Sequence, residues 1–339
     1  MRLIKTEDAV GHVLCHDMTQ IIKDQYKDAR FRKGHVVTEE DIPVLLSMGK
    51  EHLYVWEMTP GMVHENDAAE RLLALCGQEN MIRSGVKEGK IELKAACDGV
   101  FLVDSARLVA VNSQDEVMIA TRKGGMAVRE GDKLAGMRVI PLIIEEEKLR
   151  KAEQAAGDKP LLSLKPYVRK TACIVATGGE VKKGLIKDTF TPVVIDKLKT
   201  YGIETLEVVY SGDGVENVRD AVLTMREKKP DMILCTGGMS VDPDDNTPGG
   251  IKAAGANIIA YGAPVLPGAM FLLGYFDDGM PVMGLPGCVM YAGATVFDLV
   301  LPKIAADVPV TRADIAALGE GGLCLGCKPC HYPICPFGK

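Results

Sequence analysis

From Thr171 onward the chain alternates short apolar runs with longer amphipathic stretches. Thr171-Ala-Cys-Ile-Val-Ala176, Thr205-Leu-Glu-Val-Val209, Asp231-Met-Ile-Leu-Cys235 and Pro281-Val-Met-Gly-Leu285 are brief and largely apolar. Runs of this kind suit strands covered on both faces of a parallel sheet. Between them helices are expected near 192–201, 214–228 and 248–254, with a last one near 289–305. This alternation predicts an α/β fold, a doubly wound and mostly parallel sheet, over residues 168–310. Asp213 reads as the cap of the second helix, with Glu216 three residues on completing a box. Thr247 reads as the cap of the third, with Pro248 in its first position.

Upstream the texture differs. Residues 1–57 read as a small unit. Thr38-Glu-Glu-Asp41 opens a helix carrying Ile42, Val44, Leu45, Leu46 and Met48, Gly49 ends it, and His52-Leu-Tyr-Val-Trp56 alternates like a strand. Residues 58–167 read as a β-rich accessory domain with a linker helix. A helix is expected from Asn66 or Asp67 to Leu75. Strands follow at 91–94, 99–103, 108–111, 117–120 and 137–140, then a charged helix over Glu145–Ala156 that leaves through Gly157 to Pro160.

With 339 residues the chain holds two or three domains, and 47% hydrophobic with 25% charged residues is ordinary for a soluble globular protein. A net charge of −6 argues against nucleic acid as the main partner. No apolar run approaches the roughly 18 residues of a membrane span. The first residues are too polar for a signal-peptide core. A cytoplasmic protein is expected.

Ten cysteines are unevenly spread. Cys15, Cys76, Cys97, Cys173, Cys235 and Cys288 are scattered and read mostly as small buried hydrophobes. Cys324, Cys327, Cys330 and Cys335 crowd a tail over residues 319–339, a density that packing does not require. In a reducing compartment metal binding fits them better than disulfides. Their spacing approaches the iron–sulfur run C-x₂-C-x₂-C-x₃-C-P, with a last interval of four rather than three. A [4Fe–4S] cluster and a Zn²⁺ site of four cysteines, or of three with His331, both stay open. Gly319 to Gly322 reads as a hinge from which the tail swings toward a partner.

The richest chemistry lies in Thr236-Gly237-Gly238-Met-Ser240-Val-Asp242-Pro-Asp244-Asp245-Asn-Thr247-Pro248. A glycine turn at a strand's carboxyl end, facing the free amides that open a helix, is suited to phosphate. Three aspartates beside a phosphate would repel it, so a bridging cation is expected. Mg²⁺ suits, because it takes one or two carboxylates together with phosphate oxygens. An echo of this loop, Asp188-Thr-Phe-Thr191-Pro192, follows the first strand, so two loops are expected to flank one crevice.

These residues carry a family resemblance. Thr177-Gly178-Gly-Glu180-Val with Gly184-Leu-Ile-Lys-Asp188, the Thr236 to Pro248 loop, and Gly284-Leu-Pro286-Gly287 stand in order over some 130 residues. Together they resemble the molybdopterin-binding domain shared by enzymes of molybdenum-cofactor synthesis. The resemblance implies molybdopterin, bearing a phosphate or an adenylate, held with Mg²⁺. Asp245 is then essential for turnover and for Mg²⁺, and Asp188 lines the same pocket. Thr177, Gly178, Glu180, Thr236, Gly237, Gly238, Ser240, Thr247, Pro286, Gly287 and Cys288 form the binding set.

There are two departures. Cys288-Val-Met-Tyr291 follows Gly287 where the family continues Gly-Asn-Pro, and Asp242 stands where it has glycine. The upstream half more loosely resembles the accessory domains of molybdopterin molybdenumtransferases, with a β-clip-like module at 1–57. That favours an enzyme inserting molybdenum from molybdate into adenylylated molybdopterin, working as a homodimer and handing on to an apo-molybdoenzyme or a cofactor-synthesis partner. The alternatives are a molybdopterin adenylyltransferase, a nucleotide pyrophosphatase of the competence-damage-inducible type (from Asp244-Asp245-Asn-Thr247), and a non-enzymatic cofactor carrier docking through the tail.

Overall fold

Short apolar runs and Gly-, Asp- and Asn-rich turns give a mixed α/β protein. A computed structural model describes residues 2–22, 26–55, 60–242 and 245–339. Trp56 and Asp244, which figure in the expected strand and the acidic loop, lie outside the described residues. The chain forms two compact units, one of Met1–Ala96, Val103–Gly124 and Gly131–Ser163, the other of Cys97–Leu102, Gly125–Glu130 and Leu164–Lys339.

In the first unit Arg2–Lys5 pairs antiparallel with His52–Val55, and Met18–Ile22 with Tyr26–Phe31. The helix Asp41–Ser47 forms in the expected stretch, but its cap position is Glu40 and not Thr38; the Asp41 carboxylate accepts the Thr38 amide and hydroxyl, each at 2.9 Å. Helix Glu65–Cys76 packs on a four-stranded sheet ordered Met81–Arg83, Ile91–Ala95, Lys133–Val139, Val117–Thr121. Leu108 to Val111, expected as a strand, lies instead in a helix, Ser105–Asn112. Asp104 accepts the Arg107 amide at 3.1 Å and closes the first turn. Val111 is buried while Val109 is open to solvent, so the run is one face of a helix.

The main sheet of the second unit has six strands, β1 (Thr171–Thr177), β2 (Glu204–Ser211), β3 (Met232–Thr236), β4 (Asn257–Tyr261), β5 (Leu272–Tyr275) and β6 (Pro281–Leu285), in the order β2-β1-β3-β6-β5-β4. The pairs β1–β2, β1–β3 and β3–β6 are parallel, whereas β5 runs antiparallel to β6 and β4. Period-two alternation sends successive residues to opposite faces. Cys173 and Val175 join Val218, Val222 and Met225 of α2 (Val215–Glu227) and Ile251 of α3 (Thr247–Ala253). Ala172 and Ile174 join Val194 and Leu198 of α1 (Phe190–Lys199) and Val296, Phe297 and Val300 of α4 (Val296–Ala305).

Two expectations need correcting. Gly214, not Asp213, occupies the cap of α2, and the Asp213 carboxylate instead accepts the Gly179 amide at 2.9 Å. The tail is not a swinging arm. Leu323 bridges to Leu266, the Cys324 amide donates to the Leu266 carbonyl at 2.8 Å, and the Tyr332 hydroxyl donates to the Asp298 carbonyl at 3.0 Å. Phe337 is 2% exposed and belongs to the core between the sheet and α4. The glycines that looked like a hinge allow close packing: a Cβ on Gly321 would stand 2.4 Å from the Lys339 carbonyl.

Candidate functional site

Parallel pairing decides where the motif loops emerge. Thr177 lies beside Ser211, Ala176 beside Thr236, and Thr236 beside Leu285. The loops after β1, β3 and β6 therefore all leave one carboxyl edge of the sheet, the edge at which open α/β sheets bind ligands. Asp188 and Asp245 both lie on segments that leave this edge.

The loop after β3 is held by backbone geometry and two hydroxyls. Gly237 and Gly238 have φ of 80° and 55°, and an added Cβ would stand 2.4 Å from the Thr177 carbonyl and 2.7 Å from Thr247 Oγ1. Only glycine fits both positions. Thr177 Oγ1 donates to the Thr236 carbonyl at 2.8 Å, Thr247 Oγ1 donates to the Gly237 carbonyl at 2.9 Å, and the two hydroxyls stand 3.1 Å apart. Thr247 is fully buried. It is not the cap of α3, which is Asn246, but its first residue. Both threonines thus tie the first loop to the second with hydroxyls already engaged inside the protein.

Beyond the glycines, Asp245 Oδ2 accepts the Ser240 amide at 2.9 Å and the Asp245 amide donates to the Asp242 carbonyl at 2.9 Å. No hydrogen bond to Asp245 Oδ1 is found among the described residues. Ser240 is exposed. Sequence reasoning missed Tyr261, whose hydroxyl donates to the Met239 carbonyl at 3.1 Å and whose ionisation is pushed up by burial and the Asp245 charge. It also missed why β6 carries Gly284: a Cβ there would stand 2.6 Å from the Met239 side chain, which packs on that strand.

In the loop after β1, Gly178 has a φ of 137° and leads into one helical turn, Gly179–Lys182, on which Glu180 is exposed. Asp188 caps α1: its Oδ1 accepts the amides of Phe190 and Thr191 at 2.9 and 3.0 Å. Its Oδ2 is shielded from solvent with no hydrogen bond of good geometry, although the Thr191 and Tyr210 hydroxyls lie near enough to favour the anion. Burial pushes this carboxyl up, but those hydroxyls and the two amides outweigh it, and the net shift is below the usual carboxylate range. Tyr210, on β2, is pushed up by burial and by the Asp188 charge. Thr189 Oγ1 donates to Met290 Sδ at 3.0 Å and joins the first loop to the third.

Pro286 is buried at the end of β6, while Gly287 is exposed and has open space where a Cβ would stand. Cys288 is half-buried, and burial pushes its thiol up, so it is a protonated thiol at neutral pH. The cysteine tail stands elsewhere, over Tyr291 to Ala294. Among the described residues no three Cys, His, Asp or Glu side chains are gathered as a preformed metal site. For Mg²⁺ this is compatible with Asp245 as a lone protein carboxylate, since that ion draws its other ligands from water and phosphate.

Residues 173–306 match the model of a family described as "Probable molybdopterin binding domain", and residues 3–57 match "Domain of unknown function (DUF8806)". The segment that carries the three loops therefore matches the domain its motifs resemble. A CinA-like protein of Mycobacterium tuberculosis H37Ra is 33% identical over 76 residues, 22% of this chain and 18% of that one. A CinA-like protein of Petrotoga mobilis is 32% identical over 76 residues, 22% of this chain and 19% of its own. The aligned part spans about a fifth of the length of these curated relatives. Among solved structures, the molybdopterin biosynthesis Mog protein of Mycobacterium ulcerans is 20% identical, covering 41% of this chain and 99% of that one, with a TM-score of 0.35. The protein CinA of Thermoplasma acidophilum is 18% identical, covering 40% and 98%, with a TM-score of 0.34. No helix among the described residues is long and apolar enough to cross a membrane.

Proposed function

We propose that this protein acts in molybdenum-cofactor biosynthesis, binding adenylylated molybdopterin at the carboxyl edge of β1, β3 and β6 and inserting molybdenum from molybdate. The observation that carries this reading is the convergence of three motif loops on one edge, within the segment that matches the molybdopterin-binding family. Gly178 and Gly287 leave backbone open to the ligand, while Gly237 and Gly238 let the second loop close on Thr177 and Thr247. The Ser240 hydroxyl and Glu180 are exposed on the two loops and free to meet its polar groups. Asp245 keeps Oδ1 for Mg²⁺, and the ion when bound neutralises phosphate charge. Asp188, engaged in capping α1, acts as a positioning residue that fixes the first loop. Cys288 packs beside the pterin as a neutral thiol. Exposed Leu185, Ile186 and Val241 on the first two loops support a homodimer across this edge.

The test is turnover of adenylylated molybdopterin with molybdate and Mg²⁺, read as AMP release and molybdenum incorporation. Asp245→Asn is expected to lower the rate about a hundredfold or more with folding unchanged. An unchanged rate in the folded variant would remove Asp245 from the chemistry. Asp245-Asn-Thr247 and the identity to CinA-like proteins favour a second reading, a nucleotide pyrophosphatase. Cleavage of ADP-ribose without any pterin would select it. ATP consumption without molybdate would select adenylylation, and stoichiometric cofactor retention without turnover a carrier.

A further inference from the structure

The cysteine tail has no part in that reading. Cys324, Cys327, Cys330 and Cys335 all line one cavity of about 330 Å³, and all are free thiols. The segment is pinned at both ends. Near Cys324 the chain pairs with Leu266, and beyond Cys335 the Phe337 ring is in the core while Gly338 lies against Leu299, where a Cβ would stand 2.5 Å from Cδ2. Gly293 also lines the cavity and packs against Cys330: a Cβ there would stand 2.8 Å from Cys330 Sγ. Cys327 and Cys330, between the anchors, are exposed.

Size and spacing decide what this cavity takes. A single Zn²⁺ with bonds of about 2.3 Å needs its thiolates drawn together at one point and leaves no cavity. Here no three such ligands are gathered for one ion, and the space is about ten times the roughly 30 Å³ share of a water molecule. A cubane sets four iron atoms between its thiolates, so its ligands line a wall instead of meeting. Pro267, Ala292 and Ala294 add the apolar surround that shields such a cluster from water.

We infer that Cys324, Cys327, Cys330 and Cys335 bind a [4Fe–4S] cluster in this cavity. The four thiols lose their protons to become its ligands, and two ferrous ions, two ferric ions and four sulfides supply a [4Fe–4S]²⁺ core, so no further oxidant or reductant is required. The site is made by Pro267, residues 291–294 and residues 324–337, so it stands or falls apart from the pterin reading.

The full chain is incubated anaerobically with equal amounts of ferrous and ferric iron and with sulfide, desalted, and analysed for metal and sulfide. Incorporation of about four iron and four sulfide per chain is expected, with a visible charge-transfer band that dithionite bleaches. C327S and C330S, both at exposed positions, should each lose more than half of the iron while far-UV circular dichroism stays unchanged. Cys97→Ser, outside the cavity, should keep it all. The inference is overturned if the chain takes up one zinc tightly and no cluster, if it takes up neither, or if the two serine variants retain full iron. Electron paramagnetic resonance of the reduced wild type reads the cluster directly, even where a variant misfolds.

Discussion

Two threonine hydroxyls, Thr177 and Thr247, hold the first and second loops together with three contacts that share only two protons. Removing the Thr247 hydroxyl takes the donor from the part-buried Gly237 carbonyl. Thr247→Val should therefore cost about 1–3 kcal/mol of stability, measured as a lowered urea midpoint, and Thr247→Ser should recover most of it. At this scale the loops that carry the candidate residues were legible, but the contacts those residues make were only partly so. A Thr-Pro pair before a helix looks like a cap, yet Thr247 turns its hydroxyl back to Gly237 and leaves the cap to Asn246. The rule that pairs a cap with a residue three positions on placed neither cap. Thr38 donates to the Asp41 carboxylate but stands two residues ahead of Glu40, the cap of that helix, and the Asp213 carboxylate is taken by the Gly179 amide.

At the level of elements, Asp188 is the link between a loop and a helix. Asp188→Ala removes the cap of α1 and should cost about 0.5–2 kcal/mol. Its folded pKa is lowered from 3.8, so the unfolded chain takes up the proton first. The stabilisation is present above pH 3.8 and is lost as the pH falls through the folded value. Urea midpoints measured down this acid range should decline in the wild type and decline less in Asp188→Asn. Of the four parallel strands, β1, β3 and β6 were readable as continuous apolar runs because both their faces are covered, whereas β2 is an edge strand with Leu206 open to solvent. The antiparallel pair β4 and β5 was not readable, because Gly274 inside Leu272–Tyr275 looks like a break. It is instead a close approach, with the Asn257 carbonyl 3.1 Å from where a Cβ would be. The error at 108–111 has a different cause: a run of four apolar residues fits strand and helix alike, and the Asp104 cap decides it.

For the whole molecule, the tail is part of the second unit's core. Phe337→Ala should cost about 3–5 kcal/mol, seen as a fall in the unfolding midpoint of the full chain, whereas a free arm would tolerate the change. The glycine-rich approach to the tail misled because glycine serves both mobility and close contact, and only packing separates the two. The central claim is that an anionic pterin is gripped through a divalent ion at the edge where the three loops meet. It is tested most directly by titrating molybdopterin onto wild type and Asp245→Asn, each with Mg²⁺ and with a chelator in its place. Affinity should fall on chelation in the wild type and be indifferent to chelation in the variant. Equal affinity in all four titrations would contradict the account.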